Sequence, residues 1–192
     1  MVNYFKVLLL VSLFILSVQA MASSMEITAI DDVELQKAQS KVSIEWIEPK
    51  KFRDVRHPTM SRKRYRESVL LELETFIALL GERLPEDHKL NLKVTDLDLA
   101  GTVQSPAMAG LRNFSSGGIN NYRIVRDIDI PRMAFSYELV DDQGNVLKQD
   151  DVDLKDMSFL SRAGSVSKNT SLRYEKEMIS RWFKETFKSG SE

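Results

Sequence analysis

The apolar residues of this chain follow two different periods, and the change between them constrains the fold more than any other sequence feature. In "KVSIEWIE", residues 41–48, apolar and polar residues alternate, which predicts a β-strand. From Ser61 to Leu84 the apolar residues recur every three or four positions, which predicts an amphipathic helix capped by Ser61. Residues 89–99 alternate again. The folded part therefore begins as β-α-β, which needs a right-handed crossover if its two strands are parallel.

The second predicted strand changes phase within "KVTDLDLAG", residues 93–101. Its apolar residues stand at even positions up to Val94 and at odd positions from Leu97, with Thr95 and Asp96 between them. A β-bulge adds one residue to a strand and so returns the apolar side chains to the same face. We therefore predict a bulge at Thr95 and Asp96.

Three more strands and a helix are predicted in the second half of the chain. A long loop at 102–120, rich in Gly, Ser and Asn, comes first. Strands are predicted over 122–130, 133–139 and 146–154, the last two joined by the hairpin loop "DDQGN". An amphipathic helix is predicted over 172–187.

The predicted order of elements is β-α-β-β-β-β-α, with consecutive strands between the helices. This order favours an α+β fold. We expect a mostly antiparallel sheet of about five strands, with two long amphipathic helices packed on one face. Residues 41–188 are expected to form a single globular domain, which is long enough to bury a core.

The first twenty residues have the layout of a secretory signal peptide. Lys6 precedes an apolar run that ends at Val18, and Val18 and Ala20 occupy the −3 and −1 positions of a signal peptidase site. The run is shorter than the roughly 20 residues that a spanning helix needs. We expect cleavage after Ala20, a periplasmic or secreted mature protein, and no transmembrane segment after cleavage. Residues 21–40 are predicted to be a flexible N-terminal segment.

Composition excludes several classes of site. The chain has no cysteine, so disulfides, thiolate catalysis and thiolate metal sites are excluded. Its net charge of −1 argues against nucleic-acid binding. Only His57 and His88 are available, too few for a typical zinc site, and no nucleophile-elbow sequence is present. We assign no catalytic residue and expect no cofactor.

Basic residues are concentrated in one segment. Residues 50–66 hold eight Lys and Arg residues and one Asp. Helix N-termini bind phosphate through backbone N–H groups and nearby cations, so Arg56, Arg62, Lys63 and Arg64 are candidate ligand-binding residues for an anionic head group or a phosphorylated ligand. The alternative is a solvated basic segment that pairs with acids of the same chain.

Three Asp-x-Asp pairs stand on predicted strands, at positions 96/98, 127/129 and 151/153. Residues two apart in a strand share a face, and Ca²⁺ and Mg²⁺ bind carboxylate oxygens. We take Asp96, Asp98 and Asp129 as candidate metal ligands, which would suit a metal-dependent hydrolase. The alternative is that these acids only mark the solvent face, because like charges opposite one another destabilise a sheet.

Five segments resemble a known family: "SKVSIEWIEPKKFRDV", "LNLKVTDLDLAG", "DIPRMAFSYEL", "DMSFL" and "SLRYEKEMISRWF". Their order and spacing are similar to the family catalogued as domain of unknown function 3016, found in secreted proteins of proteobacteria. The likeness covers roughly residues 41–187. It implies a bacterial, exported, single-domain protein and assigns no activity. Together these features indicate a non-enzymatic binding or envelope-associated module, whose partner the sequence does not name.

Overall fold

The computed structural model describes residues 41–105, 121–161, 166 and 170–187. Its elements are β1 (Val42–Trp46), α1 (Arg62–Gly81), β2 (Lys89–Asp98), β3 (Thr102–Gln104), β4 (Tyr122–Ile124), β5 (Arg132–Val140), β6 (Val146–Lys155) and α2 (Arg173–Thr186). The predicted signal peptide, the segment 21–40 and most of the predicted loop at 102–120 lie outside the described residues.

The main sheet has four strands in the order β1-β2-β5-β6. β1 and β2 are parallel and are joined through α1, whereas β2–β5 and β5–β6 are antiparallel. The predicted β-α-β unit is therefore present, and the fold is α+β. The hairpin between β5 and β6 turns at residues 141–145, as predicted, where the Asp141 carboxylate accepts hydrogen bonds from the N–H groups of Gln143 and Asn145.

The predicted bulge is confirmed at the phase change in β2. Val94 pairs with Phe135, but the next residue paired with β5 is Asp96, opposite Ala134. Thr95 is the extra residue, and its hydroxyl donates to the Ala134 carbonyl at 3.3 Å. The bulge keeps the apolar residues after it on the buried face and leaves Asp96 on the other.

One face of the sheet is apolar and carries both helices. At its centre lie buried side chains of β2 and β5, namely Leu90, Leu92, Val94, Met133, Phe135 and Tyr137. On α2, the Trp182 ring centroid lies 4.7 Å from that of Phe135 and 5.4 Å from that of Tyr137. Near β1, Trp46 Nε1 donates to Glu74 Oε1 of α1 at 2.5 Å. The other face of the same strands is polar.

The predicted single sheet of about five strands is wrong in one region. The strand predicted over 122–130 ends at Ile124 and pairs with β3, forming a separate two-stranded sheet. A turn follows, in which the Asp129 carboxylate accepts from the backbone N–H and the guanidinium of Arg126. Local side-chain bonds of this kind compete with strand pairing, so the alternating pattern does not continue as a strand.

The two predicted helices are present but differ in character from the expectation. Ser61 caps α1, since its Oγ accepts from Arg64 N at 3.3 Å. α1 has 20 residues and α2 has 14, so only α1 is long.

The outer face of α1 is partly apolar, because Leu71 and Leu79 are 59% and 51% exposed. Among the described residues no helix combines the length and apolar character that membrane crossing requires.

Gly101, which ends the turn after β2, provides a test of this packing. Its φ is +74°, and a Cβ there would lie 2.1 Å from the Ile124 carbonyl oxygen. We expect Gly101→Ala to lower the free energy of unfolding by about 2–4 kcal/mol, because the strained φ and the backbone clash add. The measurement is urea unfolding followed by circular dichroism.

Gly144→Ala is the matched control. Gly144 has a φ of +82°, but a Cβ there meets nothing within 4 Å. This variant should lose only the conformational term, about 1–2 kcal/mol. Equal losses in the two variants would contradict the close packing of the chain after β2 against β4.

Candidate functional site

A pocket of about 570 Å³ opens between α1, β4 and the start of α2. This volume is in the range of small-molecule sites. We call it the α1–α2 pocket, and its polar and aromatic lining includes His57, Tyr65, Glu72, Asn121, Arg123 and Arg173. These residues come from three segments that are far apart in the sequence, namely 57–72, 121–123 and the start of α2.

A buried ion pair, which we call the floor ion pair, lies beside the α1–α2 pocket, which Arg123 lines and Glu175 does not. Arg123 of β4 forms a hydrogen-bonded ion pair with Glu175 Oε1, and the Glu175 side chain is wholly buried. The same oxygen accepts from the Ala100 N–H at 2.7 Å, and Arg123 Nε donates to the Ala100 carbonyl at 2.7 Å. Glu175 is buried because it continues the apolar stripe of α2 that contains Ile179 and Trp182.

A second ion pair joins the two helices beside the pocket. Lys176 Nζ lies 2.6 Å from Glu72 Oε1, and the Ser171 hydroxyl also donates to that oxygen. The Lys176 side chain is only 9% exposed, and its ammonium lies 5.8 Å from the centroid of the Phe76 ring. Glu175 and Glu72 therefore each have a basic partner of their own.

His57 and Asn121 form part of the rim. His57 Nδ1 accepts from the N–H groups of Met60, at 3.1 Å, and Thr59, at 3.3 Å. Asn121 Nδ2 lies 3.4 Å from His57 Nε2 and 3.1 Å from Thr59 Oγ1. Asn121 Oδ1 has no donor in this orientation, and a 180° rotation of the amide would turn it toward His57 Nε2. The rim is thus held by backbone and amide groups.

Tyr65 contributes a neutral hydroxyl to the pocket. Burial raises the pKa of Tyr65 above its ordinary value, and the charges of Glu175 and Glu72 raise it further, whereas Arg123 lowers it. The phenol therefore stays protonated at neutral pH and is available as a hydrogen-bond donor. Its ring centroid lies 5.2 Å from that of His57.

Arg173 leaves the α1–α2 pocket with an excess of positive charge. Arg123 and Lys176 are each compensated by an acid, but no carboxylate of the described residues forms an ion pair with Arg173. Its guanidinium carbon lies 5.4 Å from the Tyr174 ring centroid. α2 starts at this point without a side-chain cap, since its N-cap is Leu172. The free N–H groups of a first turn favour an anion.

The four basic residues predicted as ligand-binding lie near this pocket but do not line it. Arg56, Arg62, Lys63 and Arg64 are all exposed. Lys63 lies 3.8 Å from Glu67. Arg62 stands three residues before Tyr65, on the face of α1 that turns toward the pocket.

The aspartates predicted as metal ligands do not form one cluster. Arg53 Nη2 lies 2.7 Å from Asp96 Oδ2, and Arg53 Nε lies 3.8 Å from Asp98 Oδ2. Burial raises the pKa of Asp98, and Arg53 opposes this shift. Asp129 pairs instead with Arg126, whose hydrogen bond lowers the pKa of Asp129. Within the described ranges, no group of three or more His, Asp or Glu side chains could hold a metal ion.

The other strand aspartates lie on the polar face of the sheet. Asp153 of β6 lies opposite Ala134 of β5, and Asp96 of β2 lies opposite the same residue from the other side. A groove of about 420 Å³ on this face is lined in part by Lys93 and Asp151. The charges of this groove are exposed and therefore screened by water, so the α1–α2 pocket is the stronger candidate site.

The charged residues that distinguish this candidate pocket were not predicted from the sequence. Arg123 and Arg173 carry no local signal, since each is one of many basic residues. Glu175 does carry one, because an acid occurs within the apolar stripe of α2. A charged residue at such a position is rarely buried without a partner, and this rule would have drawn attention to it.

These features define an α+β protein with a charged pocket beside a mixed sheet. The chain belongs to the family described as "Protein of unknown function (DUF3016)", whose family model matches residues 40–185. This match confirms the family resemblance of the five sequence segments. No curated protein and no solved structure matches the chain significantly. Bacterial origin and export remain predictions.

The floor ion pair yields a stability prediction. Arg123→Met leaves the wholly buried Glu175 carboxylate without its cation, and breaking a buried pair in this way costs about 3–5 kcal/mol. We expect a loss of this size in urea unfolding, and a smaller loss in the double variant Arg123→Met/Glu175→Met, in which both charges are removed.

Lys63→Met is the control for the stability measurement, because it breaks only the exposed pair with Glu67. Exposed pairs contribute little, so its unfolding midpoint should stay at the wild-type value. A double variant as unstable as Arg123→Met would show that loss of packing, and not the unpaired charge, causes the effect.

Proposed function

We propose that this chain is an exported binding module, periplasmic or secreted, and that the α1–α2 pocket binds a small anion bearing a phosphate group. The signal-peptide layout of residues 1–20 supports export. The single observation that carries the binding proposal is Arg173, a cation without a carboxylate partner among the described residues, at the uncapped start of α2.

Several donors at the pocket are suited to a phosphate group. The Arg173 guanidinium offers paired N–H donors, and the first turn of α2 offers backbone N–H groups. The Tyr65 hydroxyl lines the same pocket as a neutral donor. A phosphate has several acceptor oxygens, so it can use donors from both helices at once.

The hydrogen bonds of His57 favour binding over acid–base catalysis. Its Nδ1 accepts backbone N–H groups, and no carboxylate of the described residues contacts the ring. A catalytic histidine is usually oriented by an acid or a carbonyl at this nitrogen. The hydrolase alternative has less support, because Arg53 and Arg126 occupy the carboxylates on which it depends.

Arg173→Met tests the phosphate proposal directly. We expect methyl phosphate to bind the wild-type protein and the variant to bind at least about tenfold more weakly, since a charge-assisted hydrogen bond contributes roughly 1.5–3 kcal/mol. Isothermal titration calorimetry measures both affinities. Lys184→Met, an exposed change in the last turn of α2, is the matched control and should bind as the wild type does. Absence of binding to the wild type would refute the proposal.

The exposed cations at the start of α1 suit an anionic envelope surface near the pocket mouth. Arg62, Lys63 and Arg64 occupy the first turn of α1, in which there is no acid. Basic residues near an anionic membrane contribute about 1 kcal/mol each. The surface around the pocket could therefore bring the protein to head groups.

Vesicle sedimentation tests this surface. We expect the protein to sediment with vesicles of phosphatidylglycerol at low salt and to be released at high salt. Charge reversal of Arg62, Lys63 and Arg64 to Glu should weaken the partition at least about tenfold. Vesicles of phosphatidylcholine are the control. Sedimentation that does not respond to salt or to charge reversal would refute the envelope role while leaving the pocket proposal untouched.

A further inference from the structure

The face of α1 that points away from the core carries a row of uncharged side chains. Residues three or four apart on a helix lie on the same face. Leu73 and Ile77, both wholly buried, mark the core side of α1. On the opposite side lie four residues with this spacing, which we call the outer stripe of α1: Ser68, Leu71, Thr75 and Leu79. A surface helix normally has charged and polar residues there, so two leucines on this side are unusual.

Both hydroxyl groups of the outer stripe are bonded within the helix itself. Ser68 Oγ donates to the Tyr65 carbonyl at 2.9 Å, and Thr75 Oγ1 donates to the Leu71 carbonyl at 2.9 Å. A hydroxyl that keeps its hydrogen bond costs less to remove from water than a free one. Leu71 and Leu79 are each more than half exposed. The outer stripe can therefore enter an apolar environment with little loss of hydration.

The outer stripe is bordered by cations at the N-terminal end of α1. Arg64 stands four residues before Ser68 and so lies on the same face, and Arg62 and Lys63 complete a first turn that has no acid. At the other end, Glu82 follows the stripe and caps the helix. An apolar helix face beside exposed cations is typical of helices that lie at an anionic lipid surface. The position of Glu82 puts the N-terminal end of α1 nearer to the anionic groups.

We propose that the outer stripe of α1 inserts into an anionic lipid surface, with Leu71 and Leu79 below the head groups and Arg62 and Arg64 at the phosphates. The inference rests on the envelope role proposed for the cations of α1, and it adds an apolar contact to that role. A helix at such an interface buries its apolar face by about 5–10 Å. The opposite face of α1 stays packed on the sheet, so insertion needs no unfolding.

The small size of the outer stripe favours lipid over a protein partner. The stripe is a single row of four side chains, whereas a specific protein interface buries roughly 800 Å² on each partner. Insertion into lipid has no such minimum, because each apolar side chain adds its own transfer free energy to the attraction of the cations. A lipid surface is therefore a better occupant than a second copy of the chain.

The double variant Leu71→Gln/Leu79→Gln tests the inference, because Gln preserves helix propensity and removes apolar surface. We expect it to partition onto phosphatidylglycerol vesicles at least about tenfold more weakly than the wild type. This loss should be the same at two salt concentrations, since apolar burial is not screened, whereas the effect of the cations depends on salt. Its unfolding midpoint in urea should stay at the wild-type value, because both leucines are exposed.

Leu147→Gln is the matched control for the partition measurement. Leu147 is 49% exposed, close to Leu79, but it lies on β6 and not on α1. This variant should partition as the wild type does. An equal loss in the control and in the double variant would show that any exposed leucine has this effect, and it would overturn the assignment to the outer stripe.

Fluorescence quenching tests the insertion without weakening it. A tryptophan introduced as Leu71→Trp should be quenched by phosphatidylglycerol vesicles with brominated acyl chains, beyond the quenching of the native Trp46 and Trp182. Leu147→Trp is the control and should show no added quenching. Absence of added quenching in bound Leu71→Trp protein would overturn the insertion.

The outcomes separate the inference from the envelope role on which it rests. If the wild type does not bind phosphatidylglycerol vesicles, both fail. If it binds and the double Gln variant binds equally well, the insertion fails and the electrostatic envelope role stands. A wild-type dimer in analytical ultracentrifugation that the double Gln variant converts to a monomer would overturn the lipid surface in favour of a second copy.

Discussion

The ion pair between Arg123 and Glu175 is the interaction on which the arrangement of the site depends. It connects β4 to α2, and both partners also bond to the peptide groups of Ala100, two residues after the end of β2. The chain leaves the main sheet at this point, so Ala100 has lost its strand partners, and its backbone groups are instead satisfied by the two side chains. A buried pair rarely stabilises a fold more than apolar residues of the same size would. We attribute to this pair a positioning role, because it fixes the small β3–β4 sheet against the start of α2.

On the polar face of the sheet, charged residues mostly lie beside residues of opposite charge. Lys93 lies beside Glu45, Asp98 beside Arg132, and Arg53 binds Asp96. Opposite charges on neighbouring strands attract one another, so this face is largely compensated within itself. The bulge at Thr95 is what places Asp96 in this pattern. At the start of α2, by contrast, Arg173 and the uncapped helix end add to the same positive potential. Because of this contrast, the positively charged N-terminus of α2 is a better candidate for ligand binding than the compensated aspartates of the sheet.

Local sequence patterns predicted most of the elements, and the failures have identifiable causes. The alternation in β2 and the helical period of α1 depend on neighbouring residues, so both elements and the bulge could be predicted. The residues after Ile124 alternate between apolar and polar as those of β2 do. The strand nevertheless ends at Ile124, because Arg126 and Asp129 bond to each other within a turn. The pocket could not be predicted, because it depends on the way in which β4 and α2, about fifty residues apart, pack together. The position of Glu175 in an apolar stripe was the one available sign.

The distribution of charge in the α1–α2 pocket determines how a ligand would be oriented. Glu175 is wholly buried and Glu72 is 33% exposed, and each is compensated by a base, whereas Arg173 at the start of α2 has no carboxylate partner among the described residues. An anionic group placed beside the two acids would be repelled and would also lose its hydration. The same group beside Arg173 keeps contact with water and gains a cation. An anion of the kind proposed here would therefore lie with its charge toward the start of α2 and away from Glu72 and Glu175.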